Sequence, residues 1–356
     1  MKKKRKAIKT KNKVIGIKDI AEHAQVSIGP VDRVLHNRGG VSEATRQRIL
    51  KAIEELGYKP NILASRLKSG KVYTFAVLIP KATKKIPFWQ QHQEGFDRAL
   101  KELEQYGIQI EVFHFYQNKE QSFKQAVDKA IAGNFDGFLI VPIFRKESDR
   151  LILHCKDQGI PVIFFDSNLQ EVDALSFIGQ HSHDSGKLAA DILHHCLDPE
   201  EELLVVRIVE KEDNHSHFLA RERGFNNFFR RQNRIIHHYA AENLNDKALK
   251  AALVHFINTH NRVKGIFVSN AIHKVASIFE EEGIHNVKLI GYDLIEENVA
   301  YLKKGVINFL INQKPQYQAY LGIKLLYEYL VLKRPIEKAY FMPLDILMKT
   351  NIDYYR

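Results

Sequence analysis

The sequence predicts a small all-helical module followed by a larger α/β body built on parallel sheets. Three observations point there. Residues 1–71 hold 18 Lys and Arg against 6 Asp and Glu, whereas the other 285 residues hold 35 against 36, so the whole surplus of +11 sits in the first fifth of the chain. Within residues 17–57, apolar residues recur at three- and four-residue spacing in short runs separated by turn signals. From Tyr73 onward, short β-rich runs alternate with amphipathic stretches, the pattern of parallel strands joined by crossover helices.

The elements follow in chain order. Residues 1–13 (MKKKRKAIKTKNK) have almost no apolar content and are expected to form a disordered basic tail. No apolar stretch follows the basic run, so it does not read as a secretory signal. Ile17, Ile20, Ala21 and Ala24 repeat at helical spacing and end at Gln25-Val26. Ser27 then suits the N-cap of a second helix, with Val31, Val34 and Leu35 on its apolar side. Pro30 falls in the first turn, where a missing N–H costs little. Asn37-Arg38-Gly39-Gly40 reads as a turn, and Ser42 caps a third helix with Ile49, Ala52, Ile53 and Leu56 inside and Gly57 as its stop. Three short helices with a tight turn between the first two fit a helix-turn-helix domain over residues 14–60. A basic module joined to a neutral body suggests a polyanionic partner, nucleic acid before membrane.

In the body, β-rich runs at 73–80, 108–115, 137–142, 161–166, 203–209, 264–269 and 287–292 alternate with helical stretches. The alternation breaks after Phe165-Asp166-Ser167-Asn168 and resumes at Leu203, which predicts two lobes rather than one sheet. The composition, 45% hydrophobic and 27% charged, is that of a globular chain. No apolar run reaches the ~18–20 residues of a membrane span. The two cysteines, Cys155 and Cys196, cannot build a disulfide framework. A cytoplasmic location is expected.

The segment IKDIAEHAQVSIGPVDRVLHNRGGVSEATRQRILKAIEELGYKPNILASRLKSG resembles the DNA-binding headpiece of the LacI/GalR family of bacterial transcription regulators. Its Asp-Ile-Ala, Val-x-Arg-Val-Leu, Val-Ser-x-x-Thr-Arg and Gly-Tyr-x-Pro-Asn elements stand in order and at family spacing. Residues 72–356 resemble the family's effector domain, a two-lobe fold of the type I periplasmic-binding-protein kind. The resemblance implies a ligand-controlled regulator, in first instance a repressor, that binds an inverted-repeat operator as a homodimer. It places the second helix in the major groove, with Ile28, Gly29 and Arg33 at base-reading positions and Ser27 at a phosphate. Arg33 has the fork geometry for guanine O6 and N7. Residues 61–71 correspond to a hinge helix, with Leu67 as the wedge between base pairs and Asn61 and Ala64 in support.

For the body, the resemblance implies a small sugar or sugar-derived effector, with Phe88 and Trp89 stacking on its ring and Asp166, Arg223, Asn270, Asp293 and Gln313 bonding its hydroxyls. Asp and Asn accept hydroxyl hydrogens and Arg donates, which suits a polyol. Ile86, Val141 and Ser167 stand where polar residues are frequent in the family, so the identity of the sugar does not carry over. The first lobe is expected over about 72–166 and 294–325, the second over about 167–293 and 326–356.

Other signals are weaker. The paired histidines, such as His181 and His183, do not share a helical face, so no metal site is expected. No P-loop or nucleophile elbow stands in a strand–turn–helix context, and neither a catalytic constellation nor a cofactor is expected. The competing readings are an enzyme on the two-lobe fold, a transport receptor, and an activator of the same family. The C-terminal TNIDYYR lacks a leucine heptad, which favours a dimer over a tetramer.

Overall fold

The computed structural model describes residues 15–35, 38–58, 71–83, 86–169, 171–209, 216–242 and 245–355. The basic tail and the hinge positions Asn61, Ala64 and Leu67 lie outside them. The chain divides into two compact units, 1–70 and 71–356.

The first unit is built from α1 (Ile17–His23), α2 (Ile28–Leu35) and α3 (Glu43–Glu55). Ile20, Ala21, Ala24, Val31, Val34, Ile49 and Ala52 are buried together, the stripes that the 3–4 spacing marks. The turn between α1 and α2 is closed by the Val26 N–H donating to the Ala21 carbonyl at 2.9 Å. The Thr45 N–H donates to the Ser42 hydroxyl at the start of α3. Gly57 takes φ +59° just past its end, a conformation open to glycine.

The second unit holds two six-stranded sheets. The first contains β1 (Tyr73–Pro80), β2 (Ile108–Phe115), β3 (Gly137–Ile140), β4 (Val162–Phe165), β5 (Ser176–Gly179) and β11 (Ala339–Phe341), in the order β11-β5-β4-β3-β1-β2, with every pairing parallel. The second contains β6 (Glu202–Val209), β7 (Ile236–Glu242), β8 (Val263–Val268), β9 (Lys288–Tyr292), β10 (Phe309–Asn312) and β12 (Asp345–Leu347), in the order β12-β10-β9-β8-β6-β7. Only β12 runs antiparallel to its neighbour. Helices α4 (His92–Leu103), α5 (Glu120–Ala132), α6 (Arg145–Asp157) and α12 (Pro315–Leu330) belong to the first lobe. The second lobe carries α7 (Ser182–Cys196), α8 (Ser216–Phe229), α9 (Asp246–Thr259), α10 (Ile272–Glu281) and α11 (Glu296–Lys304). The buried, β-branched-rich strands such as YTFAVLIP fit sheets covered on both faces.

The chain passes between the sheets after β5, after β10 and after β11. The lobe limits read from the sequence are corrected accordingly. β5 pairs with β4, so residues 167–179 belong to the first lobe rather than the second. Residues 294–312, with α11 and β10, belong to the second lobe, and 326–341 to the first. The physical reason is that β4 and β5 are joined without a helix, so the alternation breaks inside the first sheet and not at its border.

Glycines set the close helix crossings beneath the site. A Cβ on Gly186 of α7 would collide with the Arg221 backbone of α8, and one on Gly224 with the His183 backbone.

Candidate functional site

In the helical unit, Ser27, Ile28, Gly29 and Arg33 are all exposed, while Val31 and Val34 between them face the core. Ile28 leaves 48% of its surface in solvent at the start of α2, an apolar group with no internal burial to explain it. A Cβ on Gly29 would meet nothing within 4 Å, so the packing of this unit does not require glycine there. Arg33 rests its Nη1 on the Gly40 carbonyl at 3.3 Å, a weak exposed bond that an outside acceptor can replace.

In the larger unit the strand ends and one helix converge on a cleft between the lobes. Asp166 follows β4, Asn270 follows β8, Asp293 follows β9 and Gln313 follows β10 at a crossing, the carboxyl ends where open α/β sheets take ligands. Phe88 and Trp89 come from the 3₁₀ turn Pro87–Gln91. The Trp89 indole donates to Gln117 Oε1 at 2.7 Å and stacks on His92, ring centres 5.2 Å apart. Phe88 meets it edge to face at 5.0 Å.

Arg221, not Arg223, is the arginine of this cleft, which corrects the sequence expectation. Its Nη1 donates to the Ser269 carbonyl at 2.9 Å and its Nη2 to Gln313 Oε1 at 2.7 Å. Its guanidinium lies 3.6 Å from the Tyr292 ring centre. Arg223 is exposed and lines a neighbouring groove instead. Residues two positions apart on a helix are about 200° apart around its axis, so the pair cannot share a face. The buried positions Phe218, Arg221 and Phe225 already mark the inward stripe, a signal present in the sequence.

Gln313 joins the arginine to a carboxylate, because its Nε2 donates to Asp293 Oδ1. Gln318, fully buried on α12 and not singled out from the sequence, donates to the Gln313 carbonyl at 2.9 Å and accepts from the Asp166 N–H at 2.9 Å. Asp166 and Asp293 both hold left-handed backbone, φ 63° and 80°, and Ala271 takes 52°. Such strain gathers where side chains must be aimed. Burial pushes the Asp166 carboxyl up to about 7, with Arg221 pulling it down and Asp293 adding to the rise. Burial also raises Asp293. Asn270 lines the cleft, but its amide is bonded on both sides to the Ile208 backbone, at 3.0 and 2.7 Å. Of the apolar departures noted in the sequence, Ile86 lines the cleft and Ser167 does too, whereas Val141 is buried behind Ile143 and does not line it.

Outside the cleft, His181, His183 and Asp184 approach one another within 4.8 Å at the start of α7. His181 and Asp184 are exposed and His183 half-buried, and they are paired among themselves, His181 to Asp184 at 3.0 Å and His183 to Asp184 at 3.2 Å.

Fold and cleft together define a class, a small DNA-binding helical module ahead of a two-lobed binding domain. Residues 75–334 match the periplasmic binding protein domain, and residues 16–61 match the bacterial regulatory proteins of the lacI family. The chain belongs to the lacI family of regulatory proteins. It is 48% identical over 64 residues to the transcriptional regulator RegA of Clostridium saccharobutylicum, a match covering 18% of this chain and 19% of that one. It is 25% identical over 301 residues to the sucrose operon repressor of Streptococcus mutans, covering 81% and 86%. A LacI transcriptional regulator from Bacteroides fragilis, known as a crystal structure, superposes with a TM-score of 0.73 at 29% identity, covering 80% of this chain and 100% of that one. Among the described residues no helix is long and apolar enough to cross a membrane.

Proposed function

We propose that this regulator is a repressor that binds an inverted-repeat operator as a homodimer and responds to a small sugar or sugar derivative in the cleft. One observation carries the effector half of the reading. Gln313, on a crossing between lobes, is bonded at once to Arg221 and to Asp293 inside the cleft. A ligand that engages those groups pulls on the segment about which the lobes turn, so occupancy and lobe angle are coupled. Half-buried carboxylates, a guanidinium and two aromatic rings are the chemistry that recognises a polyol. The relatives named for sugar operons agree with it.

The DNA half rests on Ser27, Ile28, Gly29 and Arg33 sharing the exposed side of α2. Asn61, Ala64 and Leu67 are assigned to a hinge that enters the minor groove. The cleft binds without turnover, and no cofactor is part of the reading. The test is operator selection from random duplexes by the full chain, followed by a thermal-shift screen with sugars. A true effector at 100 times its Kd adds about 2.7 kcal/mol. It also shifts the emission of Trp89, the single indole. Salt-insensitive DNA binding, or sugar binding that leaves operator affinity unchanged, overturns the reading.

A further inference from the structure

The distribution of bonding groups within the cleft narrows the class of sugar, an inference that rests on the reading of this cleft as a sugar site. The groups with capacity to spare are gathered around Gln313 and Gln318. Among the described residues the Asp166 carboxylate takes a hydrogen bond from the Ser167 hydroxyl, at 3.4 Å, and has Arg221 and Asp293 as its charged neighbours. Arg221 is buried with its Nε unpartnered, and Asp293 has one oxygen beyond its bond to Gln313. Elsewhere the walls are aliphatic or aromatic: Ile86, Ile143, Ile208, Phe218 and Ile295. The polar liners among them are largely engaged. Gln117 accepts from Trp89, both ends of the Asn270 amide hold Ile208, and Lys274 reaches Asp246 at 3.8 Å. His217 and His273 also line the cleft, His217 with its ring 3.9 Å from that of Phe218.

These walls are also held in place. Ile208 is fixed through its N–H and its carbonyl by Asn270, and the Ile143 N–H donates to the Val141 carbonyl at 3.0 Å. A hexose places a hydroxyl on almost every carbon. One that lies against the isoleucine side chains gives up its water and gains no partner from them, which is costly. A methyl group in the same place fills the wall instead. We infer that the effector is a 6-deoxyhexose, its ring hydroxyls on Asp166, Arg221 and Asp293 and its methyl group against the isoleucine wall.

The experiment uses the full chain and matched pairs that differ by one oxygen: L-fucose and L-galactose, L-rhamnose and L-mannose, D-fucose and D-galactose, 6-deoxy-D-glucose and D-glucose. Calorimetry is expected to give, for one pair, a deoxy member bound about tenfold or more tighter than its parent. Ile143→Asn is expected to narrow or invert that ratio while the far-UV circular dichroism and the thermal transition of the full chain stay those of the wild type, the check on folding. Parents that bind as tightly as their deoxy partners overturn the inference and leave the sugar reading intact. So does binding of other sugars with none from these pairs. Binding of no carbohydrate at all overturns both.

Discussion

The Gln180 side chain donates to the backbone carbonyl of Asn312 at 2.8 Å, so one crossing between the lobes is bonded to another. The same nitrogen approaches the Pro343 carbonyl of the third crossing at 3.4 Å, and Lys314 pairs with Asp345 at 2.8 Å beside it. Gln180 is 5% exposed, and its Oε1 is buried without a partner. The amide pins crossings between the lobes to one another.

Gln180→Ala therefore leaves buried carbonyls unpaired, which costs about 1–3 kcal/mol. It is expected to lower the urea midpoint and to change effector affinity, because Asn312 directly precedes Gln313 of the Arg221 network. Unchanged values of both would show that the pin is idle.

Arg221→Ala removes the donor that holds Gln313 and leaves Asp166 and Asp293 facing each other without a cation. A loss of about 2–5 kcal/mol in effector binding is expected, with operator affinity kept. Arg223→Ala, exposed on the other side of α8, is expected to leave both near the wild-type values. Calorimetry on the two variants decides between them, and an equal loss in both would reject the assignment.

The raised Asp166 fixes a sign. Its folded pKa of about 7 lies above the ordinary carboxyl range, so the folded state holds the proton more tightly than the unfolded chain. Its contribution to stability is present at low pH and is lost as pH rises from about 4 to about 7. His92, lowered to about 3 by burial, acts in the opposite direction over part of this range, but it is common to wild type and variant. Relative to Asp166→Asn, the empty wild type is expected to lose stability between pH 5 and pH 8. Parallel denaturation curves across that range would contradict it.

Gly29→Ser tests the exposed side of α2. With nothing within 4 Å of the added Cβ, the melting temperature should hold or rise slightly, since serine suits a helix better than glycine. Base preference within each half-site should change. Arg33→Ala should relax one position there, worth about 1–3 kcal/mol of discrimination. A uniform loss on all sequences would instead make Arg33 a phosphate contact.

Much of this architecture was legible in the sequence, and its failures are physical. The headpiece stripes and the runs that became β1–β4, β6, β8 and β9 carry strong apolar periodicity. β7 did not, because IHHYAAE is an edge strand that is polar on one face. β11 and β12 are only three residues long, too short for a pattern to mark, and the place of these two, like that of the four-residue β5 and β10, is set by tertiary pairing. In the cleft, residues at strand ends were found because a turn after a strand has a fixed direction. The arginine was misplaced by two positions because a helix rotates its side chains with every residue. Gln318 was missed because a glutamine on a long buried helix carries no local mark of its backbone partners.

Gln313 has a consequence for how this protein changes over generations. On the proposed reading, the residue bonded to the ligand-holding groups is also part of a crossing between the lobes, so a substitution there is expected to alter taste and leverage together. Ile143 and Phe218 touch the ligand space without holding a crossing. New specificities are most accessible through such wall positions, with the transmission to DNA inherited unchanged.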